Sequence, residues 1–379
     1  MSGGRRRVVL VGVGGLGSGS ALVLARAGVE ELVLVDPDRL EPSNLGRQVL
    51  YRQEDLGAYK AERAAARLMK AFPGVRGLPR VTALEPGNAA RLLAGADLVV
   101  DGLDGFGSRL VLADACGAAG IPLVHAGVLR FGGQALTVRP GRTACYRCLL
   151  PEPPPPGEGS DPAREGVLGA LVGLFGAVEG AEARRVLAGQ PGILEGRLWA
   201  LDLLGRQSLL LPLGRDPDCP CCGNIEKRYK YYPNGSGPAS GPAPGSVPAS
   251  SGQPRSAGRA RYQRQIRLRE VGEAGQTRLD RARVRVLGAG PGSWTAALYL
   301  AAAGVGRLEV EDPAADLDDL RGLNPEIVVS PATDSREETL DVDPCAAWGL
   351  LPAPLAPPIP ELAGAAAAAE ALLHLLGLA

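Results

Sequence analysis

No stretch of this 379-residue chain is apolar for long enough to cross a bilayer. The most apolar one, Val167 to Val178, is broken by glycines and falls short of the roughly 20 residues a spanning helix needs. Net charge is missing too: 41 basic side chains balance 41 acidic ones, which excludes a broad nucleic-acid or membrane-binding surface. No secretory signal is found, because Arg5 to Arg7 lead into a strand pattern and not toward a cleavage site. Seven cysteines without such a signal imply a reducing compartment, where metal ligation outranks disulfide pairing, and a cytoplasmic protein is expected. Lysine is scarce, with only Lys60, Lys70, Lys227 and Lys230 among the basic residues, so each one bears inspection.

Against those absences stands one well-formed pattern near the N-terminus. Val8 to Val11 is a short apolar strand closed by Gly12, Gly14, Gly15 and Gly17. Glycines there let the backbone turn sharply and approach a ligand phosphate at the start of a helix, expected from Ser18 to Gly28. Leu32 to Val35 read as a buried parallel strand ending in Asp36, placed where a Rossmann-type unit holds a ribose. A glycine turn alone is a weak signal. Its sequel sharpens it: Asn44, Arg47, Gln48 and Lys60 crowd polar and cationic groups onto the nucleotide side, which a triphosphate needs and a dinucleotide does not.

Further on, Ala58 to Lys70 fits a helix, Asp97 to Asp101 a buried strand emptying into Gly102-Leu103-Asp104, and Leu110 to Ala119 another helix. Strands over Pro122 to Ala126 and Gln134 to Val138 follow, so the expectation is an α/β fold with a Rossmann-like open, mostly parallel sheet. The proline-rich run 151–165 reads as an exposed crossing loop, and Gly166 to Leu187 as a helix with an apolar face. From Asn234 to Gly258 the chain is almost entirely Gly, Pro, Ala and Ser, a linker. Beyond it, residues 283–313 repeat the opening pattern of strand, glycine turn, small-residue helix, strand and Asp-Pro. The chain thus divides into 1–232, a linker 233–258, and 259–379, two like-folded halves packed about an intrachain pseudo-twofold axis. The second copy has lost its equipment: Pro291 interrupts its glycine turn, and no counterpart of Lys60 or Asp104 follows. It reads as structural, closing in an Ala/Leu-rich helix from Ala363 to Leu376.

Cys145-Tyr-Arg-Cys148 and Cys219-Pro-Cys-Cys222 form two Cys-x-x-Cys pairs. Four thiolates so paired suit a closed tetrahedral zinc site, structural because no position is left for water. Cys221 would fit only by breaking the spacing.

With the glycine turn, Asn-x-x-Arg-Gln, Lys60, Asp104 and the paired cysteines in order, residues 7–224 resemble the ThiF/MoeB/HesA superfamily, kin to the adenylation domains of ubiquitin-activating enzymes. The resemblance implies binding of ATP and attack on its α-phosphate by the C-terminal Gly-Gly carboxylate of a ubiquitin-like or sulfur-carrier protein. On that resemblance Asp36 binds the ribose, Asn44, Arg47 and Lys60 contact the phosphates, Asp104 holds Mg²⁺, and Gln48 supports them. The attacking carboxylate is already ionised at neutral pH, so no general base is required, and both His125 and His374 read as structural. Arg261 to Ile266 (RYQRQI) is similar to a segment that, in the family's homodimers, sends an arginine into the partner subunit's ATP site. Arg264 is the matching residue, which implies that the second half lends it to the first; further homodimerisation of the chain stays open.

Two departures from the family pattern stand out. The stretch 161–167 holds no cysteine where thioester-forming members carry one, so covalent transfer from there is excluded. Cys116 reads as core, and Cys345 falls in an irregular segment. Gly105 stands where asparagine is common, which bears on how Mg²⁺ or nucleotide is positioned. The rival readings are adenylation of a small-molecule or tRNA-linked carboxylate, a nicotinamide-dependent oxidoreductase, and a binding module whose nucleotide site has decayed.

Overall fold

The computed structural model describes residues 6–153, 162–223, 257–332, 339–344 and 360–378. The opening pattern forms as its apolar runs dictate: β1 (Arg7–Val11), α1 (Gly15–Arg26) and β2 (Glu31–Val35). Next come α2 (Lys60–Ala71), β3 (Arg76–Arg80), α3 (Ala89–Leu93), β4 (Leu98–Asp101), α4 (Phe106–Ala119), β5 (Leu123–Leu129) and β6 (Gly132–Val138). Two one-turn helices, α5 (Tyr146–Leu149) and α6 (Pro162–Glu165), precede α7 (Gly169–Leu187). The hairpin β7 (Arg197–Asp202) and β8 (Gln207–Pro212) completes this half.

The strands form one sheet in the order β3-β2-β1-β4-β5-β6-β7-β8. The first five are parallel; β6 to β8 add an antiparallel extension. Both faces of the central parallel strands are covered, which is why β1, β2 and β4 are apolar without alternation. Val8 and Leu10 pack with α1 and α2 on one face, while Val9 and Val11 pack with α3 and α4 on the other. The chain leaves β1 toward β2 on one side and reaches β4 on the other, which opens a crevice at the carboxyl ends of these strands.

Beyond residue 257 a smaller sheet repeats that arrangement. β9 (Arg283–Val286), β10 (Arg307–Val310), β11 (Val328–Pro331) and β12 (Leu340–Val342) lie all parallel in the order β11-β10-β9-β12, the pattern of β3-β2-β1-β4. Its helix Pro291–Ala303 begins at the proline that the sequence reading took as an interruption. The first helical turn has no partner for an N–H, so proline costs nothing there and its fixed φ suits the start.

The halves share a core. α7 lies between α1 and the 291–303 helix, and the 360–376 helix packs beside both. Glycines in α7 set the distance of approach: a Cβ at Gly176 would fall 2.4 Å from Leu16 O, and one at Gly173 only 2.0 Å from Tyr299 Cζ. Phe175 of α7 stacks on Trp199, with ring centroids 4.5 Å apart, and belongs to the same apolar cluster as Tyr299 and Leu372. Around this core run ion pairs from half to half, Arg52 and Arg67 on Asp319, Arg26 on Glu361, and Arg130 on Glu270. Residues 154–161 of the proline-rich loop, residues 224–256 with most of the linker, and Cys345 lie outside the described residues. Among the described residues no helix is long and apolar enough to cross a membrane.

Candidate active site

A cleft of about 490 Å³ opens at the carboxyl ends of β1, β2 and β4. Its floor is the glycine turn. Gly12 adopts φ +89°, and a Cβ there would lie 2.5 Å from Gly102 O, so the two loops touch only because both residues are glycine. Gly14 and Gly15 also line the cleft. Gly17 does not: a Cβ on it would fall 2.1 Å from Gly12 O, so it serves to seat α1 against β1. The helix starts at Gly15, three residues before the expected Ser18. No side chain caps it and its first turn holds no acid, which leaves its N–H groups and positive dipole end directed at the cleft.

The polar walls come from β2 and the turn after it. Asp36 accepts from Val13 N (2.8 Å) and Asp38 N (2.9 Å), bracing the glycine turn as well as facing the cleft. Burial raises its pKa, with the Lys60 charge opposing. Asn44 is buried, and its Oδ1 accepts from Glu41 N (3.0 Å), folding the 41–48 run into a tight turn. That turn presents Gln48 and Arg47 to the cleft. Gln48 is buried, and its Oε1 has no hydrogen-bond partner among the described residues. A buried polar atom so placed fits a site built for a ligand. Lys60 Nζ stands 2.7 Å from Asp38 Oδ2 at the start of α2. Asp104 is exposed on the opposite wall, after β4.

Arg264 enters the same cleft from the second half. Its backbone carbonyl accepts from Val167 N (3.1 Å), which pins the short helix Gln263–Ile266 over the start of α7. Arg47 is pushed down to a pKa of about 10, first by burial and then by the charge of Arg264, with Asp104 and Glu41 opposing. Two guanidinium groups kept close in a partly closed space repel each other and suit a polyanion. The cleft therefore brings together Gly12, Gly14, Gly15, Asp36, Asn44, Arg47, Gln48, Lys60, Asp104 and Arg264, leaving Gly17 beneath it. Sequence reasoning missed Asp38 and Arg109. Asp38 could have been found from its place two residues after Asp36, and Arg109 from standing just before the helix expected from Leu110.

The four paired cysteines meet at the far side of α4. Cys145 Sγ lies 3.4 Å from Cys219 Sγ, Cys148 Sγ 3.4 Å from Cys222 Sγ, and Cys145 Sγ 3.9 Å from Cys148 Sγ. All four sulfurs fall within 4.8 Å of one another. Thiolates bound at ~2.3 Å to one tetrahedral ion would stand about 3.8 Å apart, so this donor set fits a metal ion. Cys221 is buried beside the group, its Sγ 3.0 Å from where a Cβ on Gly117 would stand, and is not one of the four. Cys116 is core, and His374 is exposed on the last helix.

Residues 4–221 and 262–330 match the ThiF family. The SAMP-activating enzyme E1 of Haloferax volcanii is 44% identical over 217 residues, 57% of this chain and 80% of that protein. The sulfur carrier protein adenylyltransferase of Thermus thermophilus is 41% identical over 225 residues, 58% of this chain and 83% of that protein. A crystal structure of E. coli MccB with ATP superposes with a TM-score of 0.52 at 23% identity, over 58% of this chain and 67% of that one, a likeness of fold. With one family matched across both halves, and with the glycine turn, the arginine-bearing turn and the cysteine pairs folded as described, the chain belongs to the ThiF family.

Proposed function

We propose that this chain uses ATP to adenylate the C-terminal glycine carboxylate of a ubiquitin-like or sulfur-carrier protein. The observation that carries the reading is the meeting of Arg47, Arg264 and Asp104 in one cleft at an uncapped helix N-terminus. Two cations and an exposed carboxylate are what a triphosphate with a divalent ion requires. The relatives support the choice of substrate: one is by name a sulfur carrier protein adenylyltransferase and another an activating enzyme. The chain is an adenylyltransferase.

A carboxylate oxygen of the carrier's terminal glycine attacks the α-phosphorus, and a new acyl–phosphate bond forms. The bond from the α-phosphorus to the oxygen bridging the β-phosphorus breaks, and pyrophosphate leaves with that electron pair. Asp36 orients the ribose; Asn44, Arg47, Lys60 and Arg264 hold the phosphates; Gln48 supports them through its side-chain N–H groups. Lys60 exchanges Asp38 for a phosphate oxygen. Such fixed cations lower the barrier because they face charge that grows on the leaving group. Asp104 would hold Mg²⁺, which supplies charge neutralisation across the phosphates. No protein group moves a proton, since the nucleophile arrives ionised. Cys145, Cys148, Cys219 and Cys222 would hold Zn²⁺ as a closed staple between the two sides of the α5–β8 region.

On this reading 1–232 is the active unit, 233–258 a linker, and 259–379 an inactive copy that completes an intrachain pseudo-dimer and contributes Arg264. The test is pyrophosphate release from MgATP with a panel of small β-grasp carriers ending in Gly-Gly, beside Asp104→Ala. Release that depends on one carrier and on Asp104 is the expected result. Silence across the panel with ATP still bound overturns the substrate class, and silence without ATP binding overturns catalysis.

A further inference from the structure

A buried polar cluster lies just beneath the cleft. Asp101 ends β4, and His125 stands opposite it in the parallel β4–β5 register; the two side chains are 1% and 0% exposed. His125 Nδ1 and Asp101 Oδ2 are 2.7 Å apart. Burial lowers the His125 pKa, so the ring is neutral, with a single N–H that this contact assigns to Nδ1. The other carboxylate oxygen, Oδ1, accepts from Leu103 N at 3.0 Å. The carbonyl of the same residue accepts from Arg109 Nε (3.0 Å) and Nη2 (2.6 Å). Leu103 is thus held at both polar groups of its backbone.

The neighbour of Leu103 is Asp104. Its carboxylate is exposed and makes no hydrogen bond among the described residues, so its position is set by the main chain that carries it. We propose that Asp101, His125 and Arg109 form a clamp on Leu103 that fixes where Asp104 stands in the cleft. His125 orients Asp101 so that one oxygen points at the Leu103 amide, and Arg109 closes the other side from the first turn of α4. The functional half of this inference rests on the adenylation reading; the clamp itself does not.

Two features set the cluster apart from core filling. An Asp–His pair taken wholly out of water costs free energy that an apolar pair of like size would not. His125 Nε2 adds to that cost, having no hydrogen-bond partner among the described residues. The pair is also braced from outside: the Tyr146 ring lies 4.3 Å from that of His125, tilted by 56°. Tyr146 sits between Cys145 and Cys148, so the clamp leans on the cysteine cluster. All three are positioning residues, acting on the reaction through Asp104.

The test compares His125→Leu with His125→Asn, whose side-chain amide can offer an N–H where Nδ1 stood. Hydrogen exchange of the 101–105 backbone is measured by mass spectrometry, with the Mg²⁺ dependence of pyrophosphate release. Losing a hydrogen bond to a charged group is expected to speed exchange at Leu103, and to raise half-saturating Mg²⁺, by about tenfold in His125→Leu. The KM for ATP at saturating Mg²⁺ should stay within about twofold, and His125→Asn should restore both readouts. Unchanged exchange in His125→Leu overturns the clamp. So does equal damage in both variants with equal loss of thermal stability, which marks a residue that only fills space. If the wild-type chain releases no pyrophosphate, the adenylation reading alone fails, and exchange still decides the clamp.

Discussion

Replacing Arg264 by alanine separates a catalytic second half from a merely supporting one. The arginine lines the cleft beside Arg47, and its charge is the second-largest cause, after burial, of the fall of the Arg47 pKa to about 10. In the unliganded chain the two guanidinium groups oppose each other; a triphosphate relieves that repulsion and gains a contact to each. A charge-assisted hydrogen bond is worth ~1.5–3 kcal/mol, so Arg264→Ala should lower kcat/KM roughly 10- to 150-fold. The fold should survive, because Arg264 is fixed through its carbonyl to Val167 N, a bond alanine keeps. Without ligand the variant should still unfold in one cooperative step, while the upward shift in Tm on adding ATP should shrink with the lost affinity. Arg264→Lys, which keeps charge and loses the fork, should fall between. The assay is carrier-dependent pyrophosphate release under subsaturating ATP, with Arg47→Ala as the inactive reference. An Arg264→Ala enzyme within twofold of wild type, beside a dead Arg47→Ala, would refute the donation.

Other perturbations read the rest of the argument. Gly173→Leu forces a side chain into the notch occupied by Tyr299, and overpacking of this kind costs ~1–3 kcal/mol; the urea midpoint should fall and activity with it, through displacement of Arg264. Glu179 is fully buried, its pKa raised well above the usual value by burial despite the hydrogen bond from Ser20 (2.7 Å). The folded state therefore holds a proton that the unfolded state gives up, and stability should fall as pH rises through the window above the ordinary Glu pKa. Glu179→Gln should abolish that slope and melt higher than wild type at the alkaline end; parallel Tm–pH curves would count against it. Purified protein should carry one zinc per chain by elemental analysis. Cys219→Ser or chelation should remove it and lower Tm, whereas an unaltered melt in metal-free protein would show that the four sulfurs need no ion.

Much of the first half is legible because its signals are local. The runs Val8–Val11 and Leu32–Val35 carry no alternation, as strands buried on both faces must, and glycine or aspartate ends each one. The cysteine pairs are legible from spacing alone. Helix starts were less so. Glycines suggested that α1 begins at Ser18, yet it begins at Gly15, because packing against α7 and the strand decides and glycine's poor propensity does not. The hairpin β7–β8 escaped notice: its outer strand, at the sheet edge, exposes Leu209 and Leu211 and so lacks a clean period. Contacts made by topology were hidden altogether. Asp101 and His125 are 24 residues apart and meet only through the β4–β5 register, and Lys60 finds Asp38 only after the chain has turned through residues 41–59.

If the second half is an inactive copy, as proposed, its turn offers a physical reason for the loss. Its glycine turn survives, and α1 has its counterpart in the 291–303 helix. In the first half Gly12 N donates to the carbonyl of Val35; at the equivalent place Gly288 N donates to the side chain of Glu311, at 2.8 Å. One residue on, Asp312 takes the amide of Gly290, also at 2.8 Å. Where the first half has Asp36 alone on the amide of Val13, the second half has two carboxylates on its turn, and the added charge of Glu311 repels another anion. No lysine at all follows position 230 to offset it. Calorimetric titration of the full chain with MgATP should therefore give one site per chain, abolished by Arg47→Ala. A second site, surviving Arg47→Ala and strengthened by nothing more than Glu311→Val, would mean that the turn is merely self-capped and that the second half still binds nucleotide.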